Sequence, residues 1–182
     1  MPAMHRIPPP LNFGLYQLAW FACVMGAGAG HFLAGVIAVL AVCGLHLAAS
    51  PHPGREFGII LATGFIGAAW ETLLVKGGWV RYHGNGLEQF PPVWIVALWL
   101  AFATTFNASL RWLQGRYLLA AVLGLLGGPL AWYAGEHLQA LELPDRKSLA
   151  IIGLGWALLM PLLLHMAGRL GNGANPPEKA HV

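Results

Sequence analysis

Long apolar stretches separated by short polar segments are the feature that most restricts the fold of this chain. The 182 residues are 57% hydrophobic and only 9% charged, whereas a soluble domain has about 25% charged residues. Six stretches approach the roughly 20 apolar residues that a membrane-spanning helix requires. They cover residues 11–28, 31–49, 57–76, 91–110, 117–134 and 148–168. The sequence therefore predicts an all-α polytopic membrane protein, a bundle of six transmembrane helices.

By length the chain is one domain. Its helical part covers residues 1–168, and a polar tail covers residues 169–182. The tail is rich in glycine and proline, which predicts a flexible segment. SPHPGRE at 50–56 combines two prolines, a glycine and charges, and predicts a turn. The polar segment at 77–90 predicts a longer loop over the end of the bundle.

Positive charges indicate which way the predicted spans cross the membrane. Six spans place both termini on one side. That side also holds Arg6, Arg55, Arg111, Arg116, Arg169 and Lys179. The other side holds Lys76, Arg81, Arg146 and Lys147. Because Lys and Arg are in excess in cytoplasmic loops, this bias predicts that the N- and C-termini of a multi-pass plasma-membrane protein are cytoplasmic.

The sequence lacks the signatures of several functional classes. A net charge of +3 without a basic run excludes a nucleic-acid-binding surface. The chain has no P-loop, no G-x-S-x-G, no Cys-x-x-Cys and no dinucleotide fingerprint. His46 and His165 occur without a metal-binding spacing, so neither a metal nor another cofactor is predicted. Cys23 and Cys43 lie at different depths of a predicted hairpin, which predicts two free thiols.

The most informative residue is Glu71, a carboxylate inside the third apolar stretch. It lies about 6–9 Å below the membrane surface, at about 1.5 Å per residue. A charge in such a place is costly, so we expect Glu71 to face other helices, paired or protonated. The hypothesis is a polar pocket under the 77–90 segment with Glu71 as its catalytic residue. The pocket residues would be Trp70, Tyr82, Trp94, Tyr133 and His31. The alternative, also open, is an interhelical hydrogen bond that only fixes helix packing.

Small residues form two further patterns. Glycines four residues apart occur in GAGAG at 26–30 and in GLLGG at 124–128. This spacing lets helices approach closely, so a homo- or hetero-oligomer through glycine-rich faces is predicted. The GGP at 127–129 predicts a kink in the fifth helix, because proline removes a backbone hydrogen bond.

Four stretches carry a resemblance to a known family. They are QLAWFACV at 17–24, WETLL at 70–74, PPVWIVALWLAFATTFNASL at 91–110 and GGPLAWYAGEHLQAL at 127–141. Together they resemble an uncharacterised family of small bacterial inner-membrane proteins, a domain of unknown function, over nearly the whole chain apart from the tail. EHLQAL departs from the family pattern, in which small residues are usual, and this argues against a role for Glu136 and His137.

The resemblance implies a multi-pass bacterial inner-membrane protein without an established activity. It also implies an association with genes for fatty-acid modification, such as cyclopropane fatty-acid synthase, and this favours a lipid as the partner. No residue of the chain shows the lipid directly.

Three functions remain open from the sequence. The first is membrane-lipid modification or envelope maintenance, with a lipid handled at the pocket around Glu71; whether the protein is an enzyme stays undecided. The second is a non-catalytic accessory membrane subunit, which the glycine motifs would suit. The third is a proton-coupled transporter of small molecules, which is disfavoured because the polar residues cluster at the two ends and leave the middle apolar.

Overall fold

The computed structural model describes residues 6–84 and 89–172, and six helices lie within these residues. They are α1 (Pro9–Gly28), α2 (Phe32–Ala49), α3 (Pro53–Lys76), α4 (Val93–Ala103), α5 (Tyr117–His137) and α6 (Lys147–Asn172). The predicted all-helical class is confirmed. The tail beyond residue 172, which includes Lys179, lies outside the described residues.

Helix α3 begins at Pro53, so the predicted turn at 50–56 is wrong for its second half. Proline suits the first turn of a helix because a backbone N–H has no intrahelical partner there. Glu56 then lies in the first turn, where the helix dipole favours a carboxylate. Helices α5 and α6 also run past their predicted ends, so residues 169–172 of the predicted tail are helical.

Helix α4 ends at Ala103, so the predicted helix over 91–110 is wrong for its second half. The hydroxyls of Thr104 and Thr105 donate to backbone carbonyls three residues earlier, at 2.7 and 2.6 Å. Two adjacent β-branched residues that bind the preceding turn disfavour a regular helix. Turns and a short 3-10 helix, Arg111–Leu113, connect α4 to α5.

Two polar connections that were predicted as loops meet in a small antiparallel ribbon. Strand β1 (Arg81–Tyr82) pairs with strand β2 (Leu141–Glu142), with Tyr82 opposite Leu141. The ribbon holds the connection after α3 against the connection after α5. We call this end of the bundle the ribbon end, and the ribbon is what places Tyr82 there.

Helix α4 lies in the middle of the bundle. It contacts α1, α2 and α3, whereas α1 pairs with α2 and α5 pairs with α6. Most of its residues are buried, including Trp94, Leu98 and Trp99. A helix that is apolar on all sides suits such a central position, and its indole rings contribute to the core between several neighbours.

Glycines allow two helix pairs to approach closely. A Cβ at Gly35 in α2 would lie 2.4 Å from the Cα of Cys23 in α1, and one at Gly124 in α5 would lie 2.3 Å from the carbonyl oxygen of Trp156 in α6. Both contacts are within the chain, so the predicted oligomer through glycine-rich faces stays a prediction. Cys23 and Cys43 are both free and buried, as predicted.

Four helices are long and apolar enough to cross a membrane, namely α2, α3, α5 and α6. Helix α1 is not among them, and α4 has only 11 residues. The prediction of six spans is therefore not confirmed. The conclusion that the fold supports is coarser: an all-helical protein with four candidate membrane-spanning helices among the described residues.

Gly35→Ala should destabilise the protein, because the new methyl group meets the α1 backbone at Cys23. Overpacking of this kind costs about 1–3 kcal/mol, which lowers Tm by several degrees in a chain of this length. Gly44→Ala on the same helix is the matched control, since nothing lies within 4 Å of a Cβ at that position. Thermal unfolding in detergent measures both variants, and equal Tm values would contradict the close contact between α1 and α2.

Candidate functional site

Glu71 is fully buried in α3, with 0% of its surface exposed. Its Oε1 accepts a hydrogen bond from the indole Nε1 of Trp99 at 2.8 Å, and its Oε2 accepts one from the hydroxyl of Tyr82. The expected pairing of Glu71 is confirmed, with an indole and a phenol in place of a cation. The interhelical hydrogen bond is thus present, while a catalytic role for Glu71 remains a prediction.

The hydrogen bonds continue from Tyr82 to a third helix. Its hydroxyl oxygen accepts from the indole Nε1 of Trp132 in α5 at 2.9 Å. We call Glu71, Tyr82, Trp99 and Trp132 the Glu71 network. Through this network a single carboxylate links α3, α4, α5 and β1.

Tyr82 is the titratable residue of the network that lies outside the candidate membrane spans. Burial raises the pKa of Tyr82 well above its ordinary value of about 10, and the negative charge of Glu71 raises it further. The hydroxyl therefore keeps its proton and remains a donor to Glu71 at physiological pH.

A cavity of about 620 Å³ lies between α1 and α5, with residues of α4 and α6 also lining it. Its wall includes five tryptophans: Trp20, Trp94, Trp99, Trp132 and Trp156. Among the described residues that line it, none is Asp, Glu, Lys or Arg. The cavity is therefore apolar and aromatic, unlike the polar pocket expected around Glu71.

The indoles at the ribbon end turn their polar edges away from the cavity. Trp99 and Trp132 donate their N–H groups within the Glu71 network. Trp94 donates its N–H to the backbone carbonyl of His83 at 2.8 Å. These three residues thus present ring surface to the cavity. Neither the carboxylate nor the phenol of the network is among the groups that line it.

The turn at 138–141 lies at the ribbon end, where Leu141 lines the cavity. Gly28, the last residue of α1, packs against it: a Cβ there would lie 2.2 Å from the carbonyl oxygen of Leu138. Gln139 has a φ of 59°, in the left-handed region. The Nδ1 of His83 donates to the Gln139 carbonyl at 2.7 Å, which helps to hold the turn in this conformation.

The cavity opens sideways between α1 and α5. Phe13 on α1 and Leu123 on α5 both line it and are 47% and 40% exposed. Helix α5 is one of the candidate membrane spans. In a membrane the opening would therefore face hydrocarbon chains rather than water.

Two of the predicted pocket residues contact either the Glu71 network or the cavity. Tyr82 is bonded to Glu71, and Trp94 lines the cavity beside it. The sequence did not indicate Trp99 or Trp132 as partners. Both lie in apolar runs, where an indole is expected as a packing residue, and only the fold shows that their N–H groups converge.

The other three predicted pocket residues make different contacts. Trp70 packs against Gly155 of α6, and within the described part of the chain its buried N–H has no partner. Tyr133 is exposed and packs on the ring of His137, with 4.2 Å between ring centroids. His31 is exposed where α2 begins. None of the three forms a hydrogen bond to Glu71 among the described residues.

A second buried polar cluster, at the end opposite the ribbon, was missed. The Nε2 of His46 lies 3.1 Å from the Oε2 of Glu56. The amide of Asn107 donates to Glu56 at 2.9 Å and accepts from Gln114 at 2.8 Å. These side chains tie α2 and α3 to the turns after α4. Glu56 could have been identified from its position in the sequence, because it follows Pro53, the proline that starts the helix, by three residues.

Helices with the length and composition of membrane spans and an apolar cavity that opens between helices define an all-helical membrane protein. Within residues 6–84 and 89–172, no group of three or more His, Cys, Asp or Glu side chains is placed to hold a metal ion.

The chain belongs to the family described as Protein of unknown function (DUF2878), whose profile matches residues 9–162. This confirms the resemblance to an uncharacterised domain-of-unknown-function family. Comparison with curated proteins and with solved structures finds no match. The family carries no activity with it, so a function has to be argued from the site.

Tyr82→Phe should destabilise the fold, because it removes the hydroxyl that donates to Glu71 and accepts from Trp132. Buried groups that lose a partner cost roughly 1–3 kcal/mol of unfolding free energy. Tyr117→Phe is the control, since the exposed Tyr117 hydroxyl contacts His165 at 2.8 Å. Denaturant unfolding in detergent measures both, and equal losses would argue against the Glu71 network.

The contribution of Tyr82 to stability should also depend on pH. Below pH about 10 its hydroxyl is protonated in both the folded and the unfolded chain. Above that pH the unfolded chain ionises Tyr82 while the folded chain keeps the proton, so the unfolding free energy falls as pH rises toward the folded pKa. The difference in unfolding free energy between wild type and Tyr82→Phe should therefore be smaller at pH about 11 than at pH about 8. A constant difference would contradict a raised pKa.

Proposed function

We propose that the protein is an integral membrane protein that binds the apolar chain of a lipid in the cavity between α1 and α5. The observation that carries this proposal is the cavity itself, with its aromatic lining and its sideways opening. A volume of about 620 Å³ falls in the range of sites that bind small molecules. Its lining suits a hydrocarbon and offers no charged group to a polar ligand.

The length of the cavity supports a single lipid chain. Its wall on α1 runs from Phe13 to Val24, which at the rise of an α-helix is about 17 Å. One leaflet of a bilayer is about 15 Å of hydrocarbon, half of the membrane core. A chain drawn from a leaflet would thus be covered along most of its length.

The topology that we propose has six membrane segments. Helix α1 packs along α2, which is a candidate span. Helix α4 and the turns after it together cross from the ribbon end to the start of α5. With the excess of basic residues on the side of the termini, the N- and C-termini would be cytoplasmic and the membrane the bacterial inner membrane.

In this proposal Glu71 is a positioning residue. It holds Trp99 directly and Trp132 through Tyr82, and both indoles are wall residues of the cavity. A binding site whose walls are fixed before the ligand arrives loses less entropy on binding. Whether the bound lipid is then modified, and whether Glu71 takes part in that step, are predictions from the sequence that the cavity does not decide.

Gly127→Leu should weaken binding of a lipid chain. Gly127 lines the cavity, and nothing lies within 4 Å of a Cβ at this position. A leucine would therefore add its side chain at the cavity wall without displacing a neighbour. The probe is a brominated long-chain alkane, which quenches the fluorescence of tryptophans that it touches. We expect its affinity in nanodiscs to fall about tenfold or more, the equivalent of about 1.4 kcal/mol.

Gly44→Leu is the matched control for this experiment. It adds the same side chain to α2, at a position with equal free space that is not part of the cavity wall. This variant should bind the probe as wild type does. Equal binding by the two variants would show that the probe does not occupy the cavity. A wild-type protein without saturable quenching would refute lipid binding and favour an accessory subunit.

A further inference from the structure

Two polar side chains in the wall of the cavity have no hydrogen-bond partner. Tyr16 and Gln17, on α1, both line the cavity. Within residues 6–84 and 89–172, neither the Tyr16 hydroxyl nor the Gln17 amide takes part in a hydrogen bond. The other polar side chain of this helix contrasts with them, since Asn12 bonds to the carbonyl of Thr104 and to the hydroxyl of Ser109.

The lack of partners for Tyr16 and Gln17 is costly in an apolar cavity. An amide or hydroxyl away from water loses a few kcal/mol unless it is hydrogen-bonded, and hydrocarbon offers no partner. Both residues lie near the middle of α1 (Pro9–Gly28), far from the aqueous phase if α1 crosses the membrane. A ligand with a polar group at this depth would satisfy them.

The chemistry of these groups restricts the ligand. A hydroxyl and an amide can each donate a hydrogen bond, and a carbonyl oxygen has two lone pairs with which to accept from both. The described residues of the cavity wall include no acidic or basic side chain, so a charged ligand group would have no counter-ion there.

We propose that Tyr16 and Gln17 form a subsite for an uncharged carbonyl group carried on the hydrocarbon chain of the ligand. The proposal rests on the proposed function and makes it more specific: the ligand is an oxygen-bearing chain, a ketone or an ester. The carbonyl would lie at mid-depth, below the level at which the esters of a phospholipid in the bilayer reside. The apolar end of the chain would then extend toward the rings of Trp94, Trp99 and Trp132.

The test compares long-chain ketones that differ only in the position of the carbonyl with the alkane of the same length. A long-chain methyl ester is included as the case of a carbonyl at the chain end. Each compound displaces the brominated alkane from wild-type protein in nanodiscs. We expect one ketone position, or the ester, to bind more tightly than the alkane by about fivefold for each hydrogen bond formed. The carbonyl stretching frequency of that compound should fall on binding.

Gln17→Leu and Tyr16→Phe should each reduce the ratio of the affinity for the preferred carbonyl compound to the affinity for the alkane. Retained alkane binding shows that the cavity is intact in both variants. Leu18→Ala is the control, because Leu18 is the exposed neighbour on α1 and is not part of the cavity wall. Leu18→Ala should leave the affinities for the alkane and for the preferred carbonyl compound unchanged.

Two results would overturn the subsite. One is a wild-type protein that binds every ketone and the ester no more tightly than the alkane. The other is a preference that survives in both Gln17→Leu and Tyr16→Phe. In either case alkane binding would leave the proposed function in place. Failure of the alkane itself to bind would instead refute the proposed function, and the subsite with it.

Discussion

A buried carboxylate determines the arrangement of the ribbon end. Glu71 has no contact with solvent, so each of its oxygens requires a donor. An indole from α4 and a phenol from β1 fill this role. Because the phenol also accepts from Trp132, one side chain orients aromatic rings from three different elements. Because these hydrogen bonds fix the rings, the cavity wall keeps its shape without a ligand.

At the opposite end of the bundle, buried polar groups are also satisfied by hydrogen bonds from other elements. Where α4 stops being helical, Asn12 donates to the freed carbonyl of Thr104 at 3.2 Å. Nearby, Asn107 links Glu56 to Gln114. Polar networks thus close both ends, and the segments between them are held by apolar packing. An apolar cavity is compatible with this middle region because no backbone polar group has to be satisfied there.

The sequence predicted the helices well but did not predict the hydrogen-bond partners of Glu71. Apolar runs predicted the helical class, and the cost of a charge in such a run predicted that Glu71 would be paired. The identity of Trp99 as a partner could not be predicted, because an indole in an apolar run has no pattern that separates a donor from a packing residue. The end of α4 at Ala103 depends on hydroxyl bonds that compete with the helix, a balance of small energies. The ribbon is two residues long in each strand, too short for any periodicity.

The position of the cavity opening has a consequence for the way in which a ligand would be supplied. In the proposed topology the opening between α1 and α5 would face the bilayer. Occupancy would therefore follow the mole fraction of the ligand in the bilayer and not its concentration in the aqueous phase. Exchange would be a two-dimensional process, limited by lateral diffusion. A compound too soluble to partition into the membrane would remain unbound, however well its shape matched the cavity.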